Sequence, residues 1–88
     1  MERTLQIVNK LGLHARAAAK LVTLAQKFKS EIRVTKDGRE VSGKSIMGVM
    51  MLAAAKGSRV TFRAEGADAE KALDAIEALI NRKFDEGG

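Results

Sequence analysis

Four segments of the chain alternate between apolar and polar side chains, a pattern that predicts strands with one buried and one wet face. These segments are residues 3–8, 31–35, 39–42 and 60–64. Asp37-Gly38 separates the second segment from the third and is a strong hairpin signal. We therefore expect four strands, two of them joined by a tight turn.

Between these segments the apolar residues recur every three or four positions, which predicts amphipathic helices. The first helix starts near Ala15 and extends its apolar stripe to Phe28. Lys27 and Lys29 are predicted to lie in its last turn, where positive side chains favour the helix dipole.

The same three- and four-residue spacing predicts two further helices. The second is predicted over residues 46–54, with Ser45 as its N-cap. The third begins after Asp68 and has Arg82 and Lys83 in its last turn. The element order is then β-α-β-β-α-β-α within a single domain, residues 1–88. Because every strand has a wet face, the pattern favours an antiparallel or mixed sheet with helices on one side, a two-layer α+β sandwich.

The composition excludes several kinds of site. The 88 residues contain no cysteine and one histidine, His14, so disulfides, thiolate catalysis, sulfur-bound zinc and histidine clusters are excluded, and we expect no metal site. The longest apolar run, Met47–Ala55, is well short of the ~20 residues that span a bilayer. The N-terminus has no apolar signal core. We expect a soluble, cytoplasmic protein with no membrane partner.

The positive charge lies in the first half of the chain. Residues 1–44 have a net charge of +6 and residues 45–88 a net charge of −1. The basic half should attract an acidic protein or a nucleic acid, unless its charges are only solvated. RNA-binding sheets usually present about two or three stacking aromatic residues and KH domains a GxxG clamp. This chain has only Phe62 on a strand and no such clamp, so nucleic-acid binding is the weaker alternative.

His14 stands where a predicted loop meets a predicted helix, in the segment Gly12-Leu13-His14-Ala15-Arg16. The first N–H groups of a helix lack acceptors within it, and the dipole adds about half a positive charge, so this end binds anions. The same potential disfavours a protonated ring, so we expect a neutral, nucleophilic imidazole. Arg16 can reach a phosphate on the ring, and Gly12 allows a close approach. The alternative is an ordinary capping or surface histidine. No carboxylate is spaced to orient the ring.

The second predicted helix is unusually rich in large apolar side chains. Met47, Met50 and Met51 fall on one helical face, and Val49 and Leu52 fall on another. Such a short helix can bury only one side, so the other side should be an exposed apolar patch of the kind that often marks a docking site. Methionine suits a surface that receives several partners. The alternative is that the methionines fill gaps in the core.

Ser45 has two interpretations. The simpler one is an N-cap of the second helix. In the other, phosphorylation adds a charge of about −1.5 to −2 beside the apolar patch. The helix dipole would tolerate this phosphate, whereas an acidic partner docking on the patch would not.

These residues resemble the HPr family, the histidine-containing phosphocarriers of the bacterial phosphoenolpyruvate-dependent sugar phosphotransferase system. Residues 9–16, NKLGLHAR, are similar to the family's phosphohistidine signature, and residues 43–50, GKSIMGVM, to its serine-site signature. The length, the element order and residues 66–68 also agree. The resemblance therefore covers essentially the whole chain.

The resemblance implies a fold and a reaction. The fold would be an open-faced sandwich of a four-stranded antiparallel sheet, order 1-4-2-3, with three helices on one face. His14 would accept a phosphoryl group on Nδ1 from phosphorylated enzyme I and donate it to an enzyme IIA domain, with no cofactor and no turnover of its own. Arg16 would neutralise the phosphate.

The resemblance also implies partners. Ser45 would be a regulatory site for an ATP-dependent HPr kinase/phosphorylase, and a transcriptional regulator is a further expected partner. The protein would act as a monomer. Its docking surface would comprise Gly12, Leu13, Ala15, Ile46, Met47 and Met50.

One position departs from the pattern. Many sugar-transport members have proline where this chain has Ala17. Proline at a helix start fixes φ and removes an unpaired N–H, whereas alanine retains that N–H. Alanine here resembles variants from bacteria whose phosphotransferase chain is incomplete or mainly regulatory, so a transport role and a regulatory role both remain open.

Overall fold

A computed structural model describes residues 1–86. In chain order its elements are β1 (Glu2–Gln6), α1 (Ala15–Ala25), β2 (Glu31–Lys36), β3 (Arg39–Ser42), α2 (Ile46–Met51), β4 (Arg59–Glu65), α3 (Ala69–Asn81) and a final short turn (Lys83–Asp85). The four predicted strands and three predicted helices are therefore confirmed.

The four strands form one antiparallel sheet in the order β1-β4-β2-β3. Alternate residues of each strand face the helices. In the central pair Val34 lies opposite Phe62, and on its other side Val34 lies opposite Val41. The strand order implied by the family resemblance is confirmed.

The helices cover one face of this sheet and enclose the core. The apolar stripes of α1 and α3 are buried against it, as their three- and four-residue spacing predicts. Phe62 is completely buried in this layer. It therefore cannot stack on a base, and the nucleic-acid alternative loses its only strand aromatic residue.

The β2–β3 hairpin follows the expected turn chemistry. Asp37 and Gly38 have φ angles of 51° and 80°. Positive φ at both central residues is the type I′ arrangement, which matches the twist of the flanking strands. The predicted hairpin is confirmed.

The predicted end of α1 is wrong. The helix stops at Ala25, so Lys27 and Lys29 lie beyond it, not in its last turn. The N–H groups of Lys27 and Phe28 bond three residues back, to Leu24 and Ala25. Such tighter bonds end an α-helix and turn the chain toward β2.

The predicted end of α2 is also wrong. The helix stops at Met51, not at residue 54. The N–H groups of Leu52 and Ala53 bond three residues back, and Ala53 takes a positive φ of 50°. A left-handed residue ends a helix in the way glycine commonly does.

The limits of α3 need two corrections. The helix ends at Asn81, so Arg82 is its cap and Lys83 lies in the following turn, and no basic residue lies in the last helical turn. Asp68 occupies the N-cap position, but its side chain makes no capping bond. It instead accepts hydrogen bonds from the backbone of Lys29 and Ser30 and from the Ser30 hydroxyl.

The final turn bends the chain back toward the start of α1. Its residues Lys83, Phe84 and Asp85 have φ angles of 57°, 55° and 61°. Phe84 is fully buried, although it lies beyond the end of α3. Within residues 1–86, no helix combines the length and the apolar character that crossing a bilayer requires.

Candidate functional site

His14 is the N-cap of α1. Its backbone is extended, and its carbonyl accepts the first helical hydrogen bond, from the N–H of Ala18 at 2.8 Å. The N–H groups of residues 15–17 therefore have no acceptor within the helix. The ring itself makes no capping bond. The predicted placement of the imidazole at a helix start is confirmed.

The loop before His14 is held by a close backbone contact. Gly12 has a φ of 66°, and a Cβ built on it would lie 2.3 Å from the Ala54 carbonyl oxygen. The N–H of Leu13 donates to that same oxygen at 2.8 Å. Only glycine fits here, and the segment after α2 thereby determines where His14 lies.

A carboxylate that the sequence did not reveal orients the ring. His14 Nε2 forms a hydrogen bond with Glu86 Oε2. The other oxygen, Oε1, accepts from Asn9 Nδ2 at 3.0 Å, and the same amide donates to the Gly12 carbonyl at 2.8 Å. Asn9 is completely buried. No spacing in the sequence signalled this carboxylate, because Glu86 is 72 residues away from His14 along the chain.

The electrostatics of Glu86 favour its ionised form. Its pKa lies below the ordinary value, mainly because Asn9 donates a hydrogen bond to the carboxylate. The hydrogen bond with His14 and the positive charge of Arg16 act in the same direction, against the opposing effect of burial. An ionised carboxylate on Nε2 retains a proton there and leaves Nδ1 as the nitrogen with a free lone pair.

An open groove of about 770 Å³ lies over the ring. Its charged lining is mostly basic. The basic side chains of the lining are Lys10, Arg16 and Lys20, and the acidic ones are Asp85 and Glu86. Arg16, two residues after His14, is exposed and free to turn toward an anion on the ring. The groove can receive a phosphoryl group together with the partner residue that carries it.

The exposed apolar patch of α2 is confirmed. Met47 and Met51 are 70% and 59% exposed, and Ile46 and Met50 are exposed to a smaller extent. Val49 alone among the helix residues is buried. The methionines therefore do not fill the core.

The predicted docking surface needs two corrections. Gly12 is buried, and Leu13 is only 4% exposed because its side chain belongs to the core. Neither can offer a side chain to a partner, whereas Ala15 is exposed. Leu11, which the sequence pattern did not single out, is 65% exposed and borders the His14 groove.

Ser45 is the N-cap of α2, as predicted. Its Oγ accepts a hydrogen bond from the N–H of Gly48 at 3.0 Å. The residue is half-buried. Among the described residues, no group of three or more histidine or acidic side chains is arranged to hold a metal ion.

The chain also matches known proteins along its length. The protein-family model for the PTS HPr component phosphorylation site matches residues 1–82. The chain belongs to the HPr family. A phosphocarrier protein HPr from Cupriavidus necator is 54% identical to it over 87 residues, which cover 99% of this chain and 98% of the relative. As a member of this family the chain is a phosphoryl carrier of the phosphotransferase system.

Solved HPr structures share the fold. HPr-C-His from Thermoanaerobacter tengcongensis superposes with a TM-score of 0.96 at 49% identity, covering 100% of this chain and 99% of that one. An HPr dimer from the same organism gives a TM-score of 0.80 at 50% identity, covering 98% and 99% of the two chains. The open-faced sandwich that the resemblance implied is thus the fold of this chain.

Proposed function

We propose that His14 carries the phosphoryl group on Nδ1, receiving it from phosphorylated enzyme I and donating it to an enzyme IIA domain. The observation that supports this assignment best is the bond between Glu86 and Nε2. It occupies one ring nitrogen and leaves the other as the nucleophile, at the start of a helix that stabilises anions.

The transfer balances with this chain's own groups. The Nδ1 lone pair attacks phosphorus and forms the new N–P bond. The bond between phosphorus and the donor group of enzyme I breaks, and its electron pair returns to that group. The proton on Nε2 stays in place, and the positive charge that develops on the His14 ring lies beside the Glu86 carboxylate, much as the aspartate of a catalytic triad stabilises an imidazolium. Transfer to the acceptor reverses these steps.

Arg16 and the helix start stabilise the phosphoryl oxygens. Three unpaired N–H groups and a planar guanidinium supply hydrogen bonds to the negative charge. The three N–H groups lie at a fixed position before the phosphoryl group arrives, and the exposed Arg16 side chain turns toward it. The carrier therefore needs no cofactor, and it has no turnover of its own.

Partner proteins dock on two neighbouring features of the surface. The exposed side chains of Ile46, Met47 and Met50 supply an apolar contact. The basic lining of the His14 groove attracts an acidic rim. The loop at Leu13 bonds to Ala54 just after α2, which brings the two features together. We propose that the chain acts in the cytoplasm as a monomeric single domain and transfers its phosphoryl group within transient complexes of this kind.

Labelling tests the site. Incubation with phosphoenolpyruvate and enzyme I is expected to give one acid-labile, base-stable phosphate per chain. His14→Ala should take up none, and Lys71→Ala, an exposed change in α3, should be labelled normally. Equal labelling of His14→Ala would exclude His14 as the carrier.

We further propose Ser45 as the regulatory site for an HPr kinase/phosphorylase, with a transcriptional regulator as a reader of the modified form. A phosphate there stays next to the N–H groups that start α2 and adds negative charge beside the apolar patch. Ser45→Asp should therefore raise the KM of enzyme I for this chain, while Ser45→Ala should leave the KM close to wild type. An unchanged KM for Ser45→Asp would argue against the proposed regulation.

A further inference from the structure

The segment that carries Glu86 has an unfavourable backbone. Lys83, Phe84 and Asp85 are three consecutive non-glycine residues whose backbone lies in the left-handed region. L-residues avoid this region because Cβ approaches the carbonyl oxygen, and single residues, not runs, normally visit it. Such a run persists only when the surroundings hold it in place.

Two contacts hold the turn, one in the core and one with a side chain of α1. The Phe84 side chain is completely buried in the core. On the other side, Lys20 Nζ donates a 2.8 Å hydrogen bond to the Phe84 carbonyl and lies 3.8 Å from the Asp85 carboxylate. Lys20 comes from the middle of α1, so the turn is attached to the helix that His14 starts.

The next residue in the chain is Glu86. Its carboxylate accepts from Asn9 and bonds the His14 ring. The Glu86 side chain can hold the ring in one orientation only if the backbone that carries it is itself held. The residue 83–85 turn therefore fixes the backbone just before Glu86, whose carboxylate orients the His14 ring.

We propose that Lys20 is a positioning residue for phosphoryl transfer, acting through the residue 83–85 turn to hold the Glu86 carboxylate against His14 Nε2. This inference rests on the proposed function of His14 and extends it to a residue that no sequence signature marks. Lys20 and His14 are joined by a chain of contacts: Lys20 to the Phe84 carbonyl, then along the backbone to Glu86, then to the ring.

The state of the ring in the unmodified protein tests this idea directly. Two-bond ¹H–¹⁵N spectra report which ring nitrogen carries the proton. Glu86→Gln should move the His14 signals, because it removes the ionised acceptor. Lys20→Met should move them in the same direction, and Lys20→Arg, which can donate to the same carbonyl, should restore them.

Lys10→Met is the matched control for charge. Lys10 borders the same groove, and its replacement removes one positive charge without removing a bond to the turn. It should leave the ring signals close to wild type. If Lys20→Met leaves them unchanged, or if Lys10→Met moves them equally, Lys20 acts only as a groove charge and the proposal is overturned.

Kinetics give the second measurement. Lys20→Met should lower the rate constant for phosphorylation by enzyme I about 3- to 10-fold, the factor that corresponds to one ordinary hydrogen bond. The KM should change less, because the defect lies in ring orientation. A change confined to KM would overturn the positioning role. If His14 were not the acceptor, the His14→Ala labelling experiment would show it. The ring spectra of the Lys20 variants test the positioning role separately, because they do not depend on phosphorylation.

Discussion

At His14, two local fields act on the ring in opposite directions. The unpaired N–H groups at the start of α1 disfavour a positive imidazole, and the ionised Glu86 carboxylate favours one. The opposition suits a carrier. Under the function proposed for His14, Nδ1 is available for attack, and the charge that appears on the ring during transfer has a counter-ion already in place.

The residue-scale prediction concerns Gly12. Gly12→Ala should lower the free energy of unfolding by about 3 kcal/mol or more, because it adds a clash with the Ala54 carbonyl to the penalty of a left-handed residue. Gly38→Ala is the control, since it also has a positive φ but nothing lies within 4 Å of its Cβ. It should lower the free energy by only about 1–2 kcal/mol. Urea unfolding measures both, and equal losses would contradict the proposed clash.

At the scale of elements, the corner between α1 and β2 is joined to the start of α3 by one carboxylate. Asp68 accepts three hydrogen bonds from Lys29 and Ser30. The bond from the Ser30 hydroxyl lowers its pKa most, followed by the bond from the Lys29 N–H, and together they bring the value to about 2. Asp68 therefore occupies the N-cap position of α3, but its side chain forms a tertiary contact and does not cap the helix.

The element-scale prediction is a pH dependence. Because the folded pKa of Asp68 lies below its ordinary value of 3.8, its carboxylate stabilises the fold above about pH 5, and this stabilisation is lost as the pH falls toward about 2. Asp68→Asn should therefore be less stable than wild type at neutral pH, and the difference should shrink between about pH 5 and pH 2. Urea midpoints across this range measure the difference. A difference that does not vary with pH would show that the charge of Asp68 plays no part.

At the scale of the whole molecule, β1 is attached to α3, and the final turn is attached to α1. Arg3 in β1 forms 2.9 Å ion pairs with Asp74 and Glu77 of α3. The final turn inserts Phe84 into the core beside α1 and α3. The final turn therefore completes the core through Phe84 and the His14 site through Glu86, the residue that follows it.

The whole-molecule prediction follows from Phe84. Phe84→Ala should lower the free energy of unfolding by about 3–5 kcal/mol, a large share of the total for a domain of this size. Phe84→Leu retains much of the volume and should lower it by about 1.5 kcal/mol or less. Calorimetry would measure both changes. If Phe84→Ala were as stable as wild type, the C-terminal turn would contribute no core packing.

What the sequence determined by itself is local. Alternation, three- and four-residue spacing and the Asp37-Gly38 pair predicted the strands, the helices and the hairpin, because each depends on side chains within a few residues of one another. The short length of α2 favoured exposed methionines, but the pattern left core-filling methionines open as the alternative. The sequence signature also placed His14 at a helix start.

Only the tertiary structure decided which distant groups meet. The ends of the helices are set by where the chain turns to continue the sheet, which the spacing of apolar residues does not specify. Asp68 reaches Ser30, and Glu86 reaches the His14 ring across 72 residues of sequence. Such contacts depend on the path of the whole backbone, so the carboxylate that orients the His14 ring had no signal in the local pattern.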